Sequence, residues 1–101
     1  MSPLTSRQRS ALRALAHGLD PVVLLGKAGI TDAVIREVDD ALTARELIKV
    51  RLAGDRDERE AAADAIASRS GAEIAGRIGR MAIFFRRHPD PARRTIDLPP
   101  D

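Results

Sequence analysis

From Thr5 onward the apolar residues Leu12, Leu15, Ala16 and Leu19 recur at helical spacing, which predicts an amphipathic helix. Thr5 and Gln8 have the spacing of a capping box at its start. His17-Gly18 marks its end, with Gly18 just past the helix and His17 near the negative end of the dipole. After Asp20-Pro21 the apolar run Val22–Leu25 suits a short buried strand. A second helix is predicted over about Asp32–Ala44, with Val34, Ile35, Val38, Ala41 and Leu42 on its inner face and Arg36, Glu37, Asp39 and Asp40 outside it. Thr31 suits its N-cap, and Ile30 with Ile35 a hydrophobic staple.

Strict alternation then begins. Ile48, Val50 and Leu52 face one way and Lys49 and Arg51 the other, as in a strand with a basic outer face. A third helix is predicted over about Arg56–Arg69, with the small inner residues Ala61, Ala62, Ala65 and Ile66. Ser70-Gly71 stops it. Glu73–Ile78 reads as a weaker strand in which Gly76 signals a bulge or a close backbone approach. Met81–Phe85 is the most apolar stretch, expected at the centre of the sheet or covered on both faces. The order α-β-α-β-α-β-β makes an α/β domain, a four-stranded mixed sheet with three helices. The two crossovers are expected to pair strands in parallel, and the final hairpin to add an antiparallel strand. Residues 1–88 form the domain. Residues 89–101 form a tail rich in proline and arginine, in which Thr95–Leu98 could dock as an edge strand.

Composition narrows the function more than the fold. The chain has 101 residues, enough for one domain with a modest core, and 44% of them are hydrophobic. It has no cysteine, which removes disulfides and thiolate metal sites, and its two histidines, His17 and His88, are too scattered for a metal cage. No apolar run approaches a membrane span. Met1-Ser2-Pro3-Leu4 lacks the order of a signal peptide. The expectation is a cytoplasmic monomer with no cofactor, no metal and no membrane contact.

Charge is segmented. Residues 1–30 carry four cations against one acid, residues 31–66 six cations against ten acids, and residues 67–101 seven arginines against four acids. The net charge of only +2 therefore hides two basic ends around an acidic middle. Arg9, Arg13, Lys27 and part of the Arg86–Arg94 group are expected to converge on one surface, away from the acids of the second and third helices.

The stretch with chemistry in it is Gly26-Lys27-Ala28-Gly29, between the first strand and the second helix. Glycines let backbone lie close to a ligand, and a helix start presents free amides and partial positive charge. Strand, loop, lysine and helix start together favour a phosphate; the plain alternative is a tight turn with an exposed lysine. The loop lacks the length and Gly-Lys-Ser/Thr of a P-loop and the three glycines of a dinucleotide fingerprint. No serine lies in a nucleophile elbow, and no histidine–acid pair is placed to activate one. These absences point away from an enzyme. A GxxG loop opening a helix is how KH domains clamp a nucleic-acid backbone. With two phenylalanines and no tyrosine or tryptophan, extensive base stacking is not expected, and recognition of backbone and shape is.

Leu15-Ala16-His17, Pro21 through Thr31, and Glu46-Leu47-Ile48-Lys49-Val50 together resemble a CRM domain (chloroplast RNA splicing and ribosome maturation), most closely the stand-alone bacterial YhbY-like proteins. The likeness continues through Ser70-Gly71, Ile78-Gly79 and Phe85-Arg86 to Ile96-Asp97-Leu98-Pro99. A departure is Phe85-Arg86, where the family often carries Tyr-Arg: the ring is kept and the hydroxyl is absent. The resemblance implies a fold similar to the C-terminal domain of bacterial translation initiation factor three. It also implies RNA binding and association with ribosomal RNA in precursors of the large ribosomal subunit. Its GxxG loop falls on Gly26–Gly29 and its basic first-helix surface on Arg9 and Arg13. The candidate RNA contacts are then Arg9, Arg13, Gly26, Lys27, Ala28, Gly29, Thr31, Lys49, Arg51 and Arg86. Rival readings are a protein-interaction module docking on ribosomal proteins and a KH-like DNA-binding protein.

Overall fold

A computed structural model describes residues 4–26 and 28–100. Three helices and four strands follow one another as α1 (Ser6–Ala16), β1 (Val23–Leu24), α2 (Asp32–Arg45), β2 (Leu47–Arg51), α3 (Arg56–Ser70), β3 (Glu73–Ile78) and β4 (Met81–Phe85). Each helix start is capped. The Thr5 hydroxyl accepts from the Gln8 amide at 3.1 Å while Gln8 Oε1 accepts from the Thr5 amide at 3.0 Å. Thr31 caps α2 by accepting from the Val34 amide, and Asp55 with Glu58 repeats the reciprocal box at α3. These bonds satisfy amides that a helix leaves without internal partners. Gly71 ends α3 in the left-handed region, φ 73°. Gly18 does not end α1 in that way: His17 is the C-cap, in ordinary helical geometry.

The sheet order is β1-β2-β4-β3. β1 and β2 pair in parallel across the α2 crossover, as expected. β2 and β3 do not pair. β4 lies between them, antiparallel to both. The apolarity of β4 accounts for the difference. Ala82, Ile83, Phe84 and Phe85 are all buried, so this strand takes the centre, while β3, with exposed Arg77 and Ile78, takes the edge.

Both faces of the sheet are covered. On one, α2 and α3 pack Val38, Leu42, Ala63 and Ile66 against Val23, Ile48, Val50 and Phe84. On the other, α1 packs Leu12 and Ala16 against Leu47, Ala75, Ile83 and Phe85, and Ile96 and Leu98 of the tail complete this layer. The tail docks, but not as an edge strand. Its anchor is the Glu46 carboxylate, fully buried at the end of α2. Glu46 Oε2 accepts from the His88 amide at 2.6 Å, and Oε1 from the amides of Thr95 at 2.6 Å and Ile96 at 2.9 Å. Its backbone is unusual as well, with φ 64°.

Gly76 fulfils both meanings of its signal. A bulge lies between Ile74 and Gly76, and a Cβ at Gly76 would fall 2.5 Å from Arg13 Cδ. Arg13 lies across the strand there and donates from Nη1 to the Ala75 carbonyl at 3.1 Å.

Candidate nucleic-acid interface

The loops after β1 and β2 and the β3–β4 turn share one end of the sheet, since β1, β2 and β3 run in one direction and β4 returns. In the first loop the Gly29 amide donates to the Gly26 carbonyl at 3.1 Å, closing a tight turn. Gly29 adopts φ 70°, where a side chain is strained, whereas Gly26 keeps an ordinary φ with nothing within 4 Å of a notional Cβ. Ala28 is exposed. Lys27 lies outside the described residues. Beyond the turn, Thr31 caps α2, and the first-turn amides of Asp32 and Ala33 have no intrahelical acceptor. The Asp32 carboxylate would repel an anion, but Arg69 reaches it, Nη2 to Oδ1 2.6 Å.

The predicted cations fall into two groups. Lys49 and Arg51 project on the α1 side of the sheet, because Lys49 stands opposite Ile83, which is buried under α1, and Arg51 is two residues further on. Gly76 stands opposite Ile83 from the other side, so Arg13, lying over Gly76, shares a row with Lys49. Arg51 lies one row nearer the loop, and its carbonyl accepts from the Leu25 amide at 3.0 Å. Arg9 is one helical turn from Arg13 and donates from Nη1 to the Leu4 carbonyl at 2.6 Å. Arg13, Lys49 and Arg51 thus share the α1 face, while the glycine loop leaves β1 at the sheet end nearest Arg51, with Gly26 and Gly29 lining a cavity beside Ala53, Gly54 and Ala61, Ala62 and Ala65 of α3. Arg86 does not join them. Its guanidinium reaches Asp39, Thr43 and the Ser70 carbonyl on the α2–α3 side of the sheet. The expected convergence of the arginines on one surface fails for this residue.

The sequence reading also passed over cations at the loop end. Arg56, Arg59 and Arg77 line a cleft of about 270 Å³ with Leu52 and Gly79. Arg59 Nη1 donates to the Gly54 carbonyl at 2.7 Å, and Arg77 Nη2 lies 3.7 Å from Glu60 Oε1. The acids around Arg56 and Arg59 mask them in a charge count. Only the return of β3 to the same end as β2 brings Arg77 beside them. Among the described residues no group of three or more His, Asp or Glu side chains could hold a metal ion, and no helix is long and apolar enough to cross a membrane.

The chain is similar to several known proteins. A protein of Pseudomonas aeruginosa named a "probable RNA-binding protein" is 37% identical over 96 residues, spanning 94% of this chain and 92% of that one. A Haemophilus influenzae protein named an RNA-binding protein is 39% identical over 87 residues, 85% of this chain and 88% of its own. The solution structure of a Staphylococcus aureus protein, a candidate RNA-binding protein, superposes with a TM-score of 0.82 at 35% identity, covering 95% of this chain and 99% of that one. The model of the CRS1/YhbY (CRM) domain matches residues 4–86, from the α1 layer through the glycine loop to the end of β4. With the family model matching residues 4–86 and relatives of 37% and 39% identity over most of the chain, the chain belongs to the CRS1/YhbY (CRM) domain family.

Proposed function

We propose that this protein binds RNA through the Gly26–Gly29 loop and the adjoining α1-side face, and that its RNA is ribosomal RNA in precursors of the large subunit. The observation that carries this reading is the tight glycine turn opening α2 at the sheet end where Arg51 stands beside Leu24, with Lys49 and Arg13 further along the same α1 face. Amides at a helix start and sheet-borne cations are suited to phosphates rather than to base edges. The names of the relatives support RNA as the ligand, and the family resemblance supports the ribosomal setting. Lys27 and the amides of Ala28 and of Ile30 to Asp32 hold one or two phosphates, the Gly29 amide being taken by the Gly26 carbonyl, with Thr31 fixing the helix start. Arg9, Arg13 and Lys49 extend the contact along the backbone, and Arg51 lies within the same contact surface. Arg86 belongs to the framework. The protein acts by binding, as a cytoplasmic monomer, without cofactor or catalysis.

Lys27→Ala is expected to remove about one phosphate contact, lowering the slope of log affinity against log salt by about one. Gly29→Val is expected to weaken binding further, since φ 70° is costly for a β-branched residue. Both variants are titrated against duplex and single-stranded RNA at several salt concentrations, with melting curves to establish that each stays folded. Parental affinity and slope in both folded variants would remove the loop from the site. Ribonuclease-sensitive co-migration of the tagged protein with large-subunit precursors tests the ribosomal setting. Ribonuclease-resistant association with ribosomal proteins would favour protein docking instead.

A further inference from the structure

α1 covers only part of its side of the sheet. Going from the far end toward the glycine loop, the row with Leu47 and Phe85 is buried under it, and so are Ile83 and Ala75 of the next row. One row further on, the register aligns a single residue from each strand. Leu24 of β1 stands beside Arg51 of β2, Arg51 beside Met81 of β4, and Met81 beside Ile78 of β3. The two-residue period of strands places all four on the α1 side, yet no helix lies over them. Leu24 is 63% exposed and Ile78 60%, two of the three exposed large hydrophobic side chains among the described residues. Arg51 is exposed and Met81 half-buried between them.

We propose that this row, Leu24–Arg51–Met81–Ile78, is a platform for unpaired RNA bases, with the phosphates of the same strand held at the glycine loop. The inference rests on the RNA-binding reading and goes beyond backbone recognition. Four strands about 4.8 Å apart make a row roughly 14 Å long, the span over which four-stranded sheets bearing aromatic side chains hold two or three bases; here the Arg51 guanidinium and three aliphatic or thioether side chains stand in their place. The charge around the row selects the occupant. Arg51 sits within it, Lys49 and Arg13 flank it one row away, and the loop follows Leu24-Leu25 directly. The described sheet positions of these two rows carry no carboxylate on this side; Glu73 lies a row further, opposite Phe85. Apolar side chains set among cations match a ligand with flat apolar faces on an anionic backbone. The Arg51 guanidinium stacks on a base as a ring would, and the Leu24, Met81 and Ile78 side chains pack against its neighbours.

The test compares the parent with a Leu24→Ser/Ile78→Ser double variant and with Arg51→Gln. The probes are a blunt RNA duplex and the same duplex interrupted by an unpaired segment. Both serines replace exposed side chains, so thermal unfolding is expected to stay near parental. The double variant is expected to bind the interrupted RNA about tenfold more weakly, with its salt slope unchanged, and the blunt duplex as the parent does. Arg51→Gln is expected to lose affinity for the interrupted RNA more than for the duplex. If the parent binds both probes and the double variant matches it on both, or weakens equally on both, the platform is overturned and the phosphate-binding loop stands. A parent that binds neither probe overturns the RNA reading itself, and the platform with it. A double variant that keeps its RNA affinity but no longer co-migrates with ribosomal particles assigns the row to a protein and overturns the proposal.

Discussion

Replacing Glu46 by alanine is expected to lower the free energy of unfolding by about 3–5 kcal/mol, the range for removing one partner from a buried charged network. The substitution removes the acceptor of three amides, those of half-buried His88 and Ile96 and of exposed Thr95. It also removes the counter-charge near Arg87, whose buried Nη1 has no hydrogen-bond partner among the described residues. Glu46→Gln retains one acceptor oxygen and is expected to cost less. Urea unfolding of the parent and both variants provides the measurement; parental stability in Glu46→Ala would show that the anchor contributes nothing. A pH dependence follows. Burial alone would raise the Glu46 pKa, but the amides of His88, Ile96 and Thr95 and the charge of Arg87 outweigh it and hold the carboxyl below the usual glutamate value. A depressed native pKa adds stability at neutral pH, and that stability is lost as pH falls through the native value. The gap between parent and Glu46→Gln should therefore narrow from about pH 5 downward.

Arg86→Ala is expected to cost about 2 kcal/mol of stability while leaving RNA affinity and its salt dependence unchanged. The guanidinium donates to Asp39 Oδ1 at 2.6 Å, to the Ser70 carbonyl at 2.7 Å, to the Thr43 hydroxyl at 3.0 Å and to the Asp39 carbonyl at 3.1 Å. It ties the end of β4 to the middle of α2 and the last turn of α3. Hydrogen bonds from a charged donor contribute about 1.5–3 kcal/mol. The net loss is set at the lower part of that range because Asp39 is half exposed and screened. Arg86→Lys should rescue only part of it, since an ammonium cannot reproduce the fork that spans α2 and α3. A fall in salt slope comparable to that of Lys27→Ala, with unchanged stability, would return Arg86 to the RNA surface.

These two residues mark where a linear reading stops. Helix boundaries were readable because caps are local: Thr5 with Gln8, Thr31, and Gly71 each act within a few residues of the end they define. The centrality of β4 was readable because a strand covered on both faces cannot alternate. The glycine loop was readable because its glycines, the cap and the staple are contiguous. Glu46 was not, because its role depends on amides 42 to 50 residues away and on a positive φ that no local pattern announces for glutamate. Arg86 looked like one more cation of a basic segment, for its partners come from two other helices. The Leu24–Arg51–Met81–Ile78 row exists only once four strands are in register. Placing β4 between β2 and β3, which no local spacing dictates, creates it.

That strand order also bears on how the chain assembles. β1, α2 and β2 form one unit of nearby segments, and β3 and β4 a hairpin joined by the Gly79-Arg80 turn, with α3 as the tether between them. Each unit closes over a short span, where the entropy of loop closure is small. The β2–β4 seam joins them at separations of 30 to 38 residues, Arg51 to Met81 and Leu47 to Phe85, and the tail then bridges back to Glu46. The topology therefore predicts that the hairpin docks late onto the β1-α2-β2 unit, an order that φ-values low in the β2–β4 seam and higher within each unit would bear out. Without the tail in place, the Glu46 carboxylate would lack its three amide donors and the α1 layer would lack Ile96 and Leu98.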